Sequence, residues 1–257
     1  MSAVRELQVV PGEHVLADAA AHRFVLAANA AIDARGQFLV ALSGGSTPRS
    51  VYARLAAEPC VSSLNWSRVH ILWGDERCVP PDHALSNYRM ARETLLDHVP
   101  VLETNVHRIN GEEDPAEAAL AYERVLRALL LTPIGPPCTA PASRIDLVFL
   151  GLGDDGHTAS LFPGAASLRP TARWVVADCV HAAPRWRVTL TAIVINAAAE
   201  VVFLVSGAPK AAIVRKVLEG PHRPRELPAQ LIAPTAGRVM WILDAPAAAA
   251  LGSDSER

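Results

Sequence analysis

The chain has too few cysteines, set too far apart, to rely on them for cross-links or metal. Cys60, Cys78, Cys138 and Cys179 form no C-x-x-C pair and no His/Cys spacing suited to zinc. They read as separate reduced thiols, the ordinary state in cytosol. A basic excess is also missing: 24 Lys and Arg stand against 26 Asp and Glu, a net charge of −2. That balance speaks against a general nucleic-acid binder, which carries a basic field. An anionic ligand then has to be held by a few local cations and backbone amides. Met1 to Val10 has no apolar core like that of a signal peptide. No apolar run approaches the ~18 residues expected of a membrane span. No Gly-x-Ser-x-Gly elbow supplies a serine nucleophile, and no Gly-Lys-Ser/Thr completes a P-loop. The expectation is a cytoplasmic protein with neither a membrane nor a nucleic acid as partner.

What is present is apolar and periodic. Of 257 residues, 51% are hydrophobic and 19% charged, and a chain of this size buries roughly 70–75% of its unfolded surface without disulfides. Runs with strand character lie at 38–42, 69–73, 145–150, 174–176, 188–190, 201–205 and 239–243. Most are continuously apolar rather than alternating, as parallel strands covered on both faces require. Helical patterns lie between them. Leu16, Ala20, Phe24, Ala27 and Ala31 follow one helix face, and similar patterns fall at 48–57, 88–96, 116–131, 191–199 and 209–218. The alternation predicts a doubly wound α/β fold with a largely parallel sheet and helices on both faces. Proline-rich residues 132–143 and 221–228 predict irregular loops. Neither stretch marks a linker, so residues 1–257 are expected to form one domain, with 252–257 a frayed tail.

In such sheets ligands bind beyond the carboxyl ends of the strands, and the unusual residues fall there. Ser43-Gly44-Gly45-Ser46-Thr47-Pro48 follows the run at 38–42. Thr47 suits an N-cap and Pro48 a first helical turn. Close backbone approach and free N–H groups at a helix start favour an anion, although a plain capped turn needs the same residue types. Gly74-Asp75-Glu76-Arg77 follows 69–73; Asp75 and Arg77 suit hydroxyl and anion contacts, or simply a surface ion pair.

Gly151-Leu152-Gly153-Asp154-Asp155-Gly156-His157-Thr158 follows 145–150 and matches G-x-G-x-x-G, with Asp178 some way on. A dinucleotide reading fails on two counts. Asp154 and Asp155 put two negative charges where a pyrophosphate must sit, and Pro163-Gly164 ends the following helix after about one turn. The glycines instead present Asp155 and His157 together, with His157 a candidate base and Asp155 its orienting partner. A histidine in a mere capping role fits the same spacing. Arg187, just before 188–190, and Lys210, at a helix start where the dipole disfavours it, suit anion contacts or ordinary solvation.

Taken in order, these loops resemble the 6-phosphogluconolactonase family, within the larger group that includes glucosamine-6-phosphate deaminase. The likeness spans Ser43 to Pro48, Asp75-Glu76-Arg77, Ser86-Asn87-Tyr88, and Gly151 through the Asp-Gly-His-Thr-Ala-Ser-Leu-Phe-Pro core. It continues with Arg187-Val188-Thr189-Leu190, Gly207 with Lys210, and Leu227-Pro228-Ala229. Arg187, rather than Arg185, takes the family's arginine position because it directly precedes Val-Thr-Leu. The resemblance implies a sugar-phosphate-isomerase-like, modified Rossmann fold and hydrolysis of a phosphorylated sugar lactone, with no cofactor and no metal. It implies that Ser43, Gly44, Gly45, Ser46, Thr47, Arg187 and Lys210 hold the phosphate. His157 activates water with Asp155 beside it, Arg77 meets phosphate or oxyanion, and Asp75 touches the sugar or supports Arg77. A monomer or weak homodimer is expected.

Two rival readings follow from the same residues. Deaminases of the group carry a glutamate five residues after the histidine, where this chain has Phe162. A non-catalytic sugar-phosphate sensor keeps the phosphate loop but needs no base, and no helix-turn-helix segment is evident.

Overall fold

A computed structural model describes residues 4–131, 144–169, 172–180 and 186–252. The predicted loop at 132–143, Cys138, Arg185 and tail residues 253–257 lie outside them. In chain order the elements are β1 (Val4–Val10), α1 (Glu13–Arg35), β2 (Phe38–Leu42), α2 (Ser46–Leu55), β3 (Val69–Trp73), β4 (Asp75–Arg77), α3 (Asn87–Thr94) and α4 (Pro115–Leu131). There follow β5 (Leu147–Leu150), β6 (Val175–Cys179), β7 (Trp186–Leu190), α5 (Ala192–Asn196), β8 (Glu200–Val205), α6 (Ala211–Leu218), β9 (Arg238–Asp244) and α7 (Ala245–Ala248).

Six strands form a wholly parallel sheet in the order β1-β9-β8-β5-β2-β3. Every residue of β2, β5 and β8 is buried, so both faces of the sheet centre are covered, as continuous apolar runs predict. The expected α/β fold is the one observed. An antiparallel sheet β4-β7-β6 stands beside it. Gly74 joins the two, its N–H donating to Leu42 O at 2.8 Å and its carbonyl accepting from Leu190 N at 2.8 Å.

Several boundaries correct the sequence reading. β5 starts two residues later than expected because the Asp146 carboxylate, rather than a backbone carbonyl, takes the Leu39 amide at 2.9 Å. Arg35 pairs with the same carboxylate. The run predicted at 191–199 yields only the short α5, and the pattern at 209–218 opens with a 3₁₀ turn, Ala208–Lys210, before α6. β1 and β4 carried no continuous apolar run: Arg5, Glu6 and Gln8 interrupt the apolar residues of β1, β4 is Asp-Glu-Arg, and each strand pairs with one neighbour in its sheet.

α1 corrects another expectation, for by length and composition it is apolar enough to cross a membrane. Its Leu16, Ala20, Phe24, Ala28 and Ala31 are buried, and Phe24 packs on Phe38 and Phe149 with ring centroids 5.2 and 6.2 Å apart. Arg23 on the same helix forks the buried Glu200 at 2.5 and 2.7 Å. Both contacts make it a core helix here. Cys60, Cys78 and Cys179 are free thiols.

The chain leaves β2 toward β3 on one side, then returns to place β5, β8 and β9 on the other. The gap beyond the carboxyl ends of β2 and β5 is therefore a topological switch point, where open α/β sheets bind ligands. Two tyrosines brace this end of the sheet. The Tyr52 hydroxyl accepts from Ser43 N at 2.9 Å and donates to Ser43 O at 2.8 Å. The Tyr122 hydroxyl does the same for Trp73, at 2.7 and 3.1 Å. Each phenol satisfies two backbone groups that the ladder no longer reaches.

On β3, His70 Nδ1 lies 3.2 Å from His107 Nε2, with the two rings stacked. Burial, and then the neighbouring His70, push His107 down to about 4; burial also lowers His70. An unfolded histidine takes up its proton near about 6.5, so between that value and about 4 the folded chain binds fewer protons. Stability therefore falls as pH drops through this window. The thermal midpoint of the wild type is expected to fall more steeply across it than that of His107→Gln; parallel slopes would remove the pair as the cause.

Candidate active site

A cavity of about 270 Å³ opens at the switch point. Its walls come from the loops after β8, β5, β2 and β3, four strands adjacent in the sheet.

The β2 loop supplies Ser43 to Pro48. Gly45 has φ 111° and forms the cap of α2, a conformation that favours glycine. The helix begins at Ser46, so Thr47 is not the expected N-cap. It is already helical, and its Oγ1 lies 2.9 Å from Ser206 Oγ. Pro48 keeps its place in the first turn. The N–H groups of Ser46 and Thr47, at the start of this ten-residue helix, have no intrahelical partner, and both residues line the cavity. Ser43 Oγ is buried and has no hydrogen-bond partner. Gly44 has no room for a side chain, because a Cβ there would stand 1.9 Å from Asn87 Oδ1.

Asp75 and Arg77 both line the cavity, from β4 rather than from a loop. Ser160 Oγ donates to Asp75 Oδ2 at 2.6 Å, and Asn87 Nδ2 donates to the Asp75 carbonyl at 2.9 Å. Arg77 Nη1 donates to Leu85 O at 2.6 Å. Glu76 between them is structural: its carboxylate accepts from the amides of Arg77, Asn87 and Tyr88, each at 2.8 Å. Arg187 is the cross-strand partner of Arg77. It is buried and stands outside the cavity wall, with Nη1 unpartnered. Burial, and then the like charge of Arg77, lower its pKa.

The β5 loop holds the histidine. Gly153 N donates to His157 O at 2.8 Å, and Gly156 turns the chain at φ 82°. Asp155 Oδ1 meets the His157 amide at 3.0 Å and its Nδ1 at 2.5 Å. Burial raises the Asp155 carboxyl, but the hydrogen bonds from the His157 amide and ring outweigh it and hold it below the usual range. With a carboxylate on Nδ1, the neutral ring carries its proton on that nitrogen, which leaves the lone pair on Nε2. The Phe162 ring stacks on the imidazole, centroids 4.1 Å apart. No helix follows His157, not even the single turn expected. Thr158 and Leu161 close a tight bridge instead, so no helix start awaits a pyrophosphate.

After β8, Gly207 has φ 94° and donates to both carboxylate oxygens of Asp244, at 2.9 and 3.0 Å. Lys210 ends the 3₁₀ turn and reaches back to the β5 loop. Its Nζ donates to Leu152 O at 2.7 Å and to Asp154 Oδ1 at 2.5 Å.

The structure thus brings Ser43 to Thr47, Asp75, Arg77, His157 and Lys210 to one cavity, with Asp155 behind the histidine and Arg187 behind Arg77. Sequence reasoning missed Asn87, Thr158 and Ser206 in the wall. Asn87 had a signal in Ser86-Asn87-Tyr88; Ser206 had none beyond its place after a strand. Among the described residues no group of three or more His, Cys, Asp or Glu suits a metal ion.

A glycine-bearing helix start, two cations and a carboxylate-backed histidine at the switch point of a parallel sheet define the site of an α/β enzyme. Residues 11–241 match the family described as glucosamine-6-phosphate isomerases/6-phosphogluconolactonase. A 6-phosphogluconolactonase of Nostoc sp. is 37% identical over 248 residues, covering 96% of this chain and 98% of that protein. One of Synechocystis sp. is 41% identical over 215 residues, covering 83% and 85%. The solved 6-phosphogluconolactonase from Trypanosoma cruzi superposes with a TM-score of 0.82 at 31% identity, covering 98% of each chain. The chain belongs to the glucosamine-6-phosphate isomerase/6-phosphogluconolactonase family.

Proposed function

We propose that the chain hydrolyses 6-phospho-D-glucono-1,5-lactone to 6-phosphogluconate, in the oxidative branch of the pentose phosphate pathway. The observation that carries this reading is His157, backed by Asp155, in the same cavity as an anion-binding loop. Nε2 takes a proton from water as the oxygen attacks the lactone carbonyl. The ring C–O bond then breaks, and the imidazolium returns the proton to the departing ring oxygen. Asp155 keeps Nδ1–H in place and stabilises the imidazolium. A lactone is an activated ester, so base, positioned carbonyl and anion clamp suffice. The Ser43–Thr47 stretch and Lys210 hold the phosphate, with Arg187 adding charge from behind. Arg77 serves the phosphate or the developing oxyanion from the β3 flank, and Asp75, held by Ser160, accepts from a sugar hydroxyl. Phe162 supports lactone opening over deamination, because it stacks on His157 where ring opening and isomerisation need a carboxylate. The enzyme acts without a cofactor, in the cytoplasm, as a monomer or weak homodimer formed from a single domain.

Lactone opening measured beside ammonia release from glucosamine 6-phosphate tests the reaction: activity on the second alone would sink it. Lys210→Ala tests the phosphate site. Loss of a charge-assisted contact is expected to weaken phosphorylated ligands by about 10–100-fold and to spare unphosphorylated gluconolactone. Equal losses for both would take Lys210 out of the phosphate site.

A further inference from the structure

We infer that Asp154 is a resident counter-ion, which Lys210 gives up when the ligand's phosphate arrives, and that this carboxylate sets how tightly phosphorylated ligands are held. The inference rests on the reading of Lys210 as a phosphate ligand.

The two neighbouring aspartates do different work. Asp155 is committed to His157. Asp154 takes no part in the hydrolysis, its side chain is 83% exposed, and Lys210 is its hydrogen-bond partner. Lys210 lines the cavity, and its Nζ already has a second acceptor, Leu152 O at 2.7 Å. That carbonyl lies on the same loop and is uncharged, so it places the ammonium without competing for its charge. What Asp154 adds is a negative charge beside the cation that the phosphate must use.

An exposed ion pair is weak, because water screens it and holding two side chains in one geometry costs entropy. A phosphate dianion therefore displaces the carboxylate easily, and the third ammonium proton is open to it even before Asp154 leaves. Once the phosphate is seated, Asp154 is a like charge nearby, anchored to the same loop. It opposes retention of the product, which carries the same phosphate as the substrate. Removing the charge should tighten phosphorylated ligands and slow their departure. A tether that merely aimed the lysine would have the opposite effect.

The test is calorimetric titration of the whole chain with inorganic phosphate and with 6-phosphogluconate, in wild type, Asp154→Asn, Asp154→Ser and Lys210→Ala. Both Asp154 variants are expected to lower Kd for the two ligands by about 3–10-fold at low salt, with the difference shrinking as salt is raised. Turnover of the lactone should show KM falling more than kcat. If both Asp154 variants bind phosphate as the wild type does, or more weakly, while Lys210→Ala binds it much more weakly, the counter-ion role is overturned and the phosphate site stands. If Lys210→Ala binds both ligands as the wild type does, the phosphate reading itself falls and the inference with it.

Discussion

His157→Asn is expected to lower kcat about 10²–10⁴-fold, the usual contribution of a positioned general base, while 6-phosphogluconate binds nearly as before. The asymmetry follows from where the contacts lie. The groups assigned to the phosphate are on the β2 and β8 loops and on β4 and β7, and none is held by the imidazole, whose ring partner is Asp155. Asparagine keeps a small polar side chain beside Asp155 and Phe162 but has no nitrogen lone pair to take a proton from water. Single-turnover rates with product titrations separate the two quantities. A variant that opens the lactone at the full rate would remove His157 as the base.

Gly153→Ala is expected to have the second-largest effect, about 10²-fold in kcat, on the scale reported for displacing a reacting group by about 1 Å. The added Cβ would stand 2.0 Å from His157 Nδ1 and 2.1 Å from Cε1, distances no packing accommodates. The backbone at Gly153 is not left-handed, so alanine strains nothing by itself and the effect acts through the ring. The imidazole cannot simply step aside, because Asp155 holds one edge and Phe162 lies against a face. Product affinity should fall far less, because Lys210 leans on Leu152 and Asp154 of this loop but the Ser43–Thr47 stretch does not. A kcat loss matched by an equal loss of product affinity would mean that the whole loop has moved.

The parallel sheet was legible because its central strands are buried on both sides, which writes them into the chain as uninterrupted apolar runs. The glycine-bearing loops could be read as well, since their position after those runs put them at one end of the sheet. What could not be read depends on partners remote in sequence. β4 is three polar residues whose pairing with β7 lies more than a hundred positions away. Thr47 has the right chemistry for a cap, yet Gly45 already turns the chain, and the hydroxyl goes to Ser206 instead. Asn87 enters the wall only because Gly44 leaves it room. The Arg187 position was marked by Val188-Thr189-Leu190, but its placement behind Arg77 needed the register of an antiparallel pair.

The phenols of Tyr52 and Tyr122 have a consequence for hydrogen exchange. The amides of Ser43 and Trp73 sit at the very end of their strands, where fraying normally lets solvent in. Here each donates to a hydroxyl inside the core, so its proton exchanges only when the surrounding core opens. The roots of the two loops then share the protection of the sheet, while the loop tips remain close to water. Ligand binding should slow exchange at the tips, around Gly44 to Thr47, and leave the already protected amides of Ser43 and Trp73 unchanged.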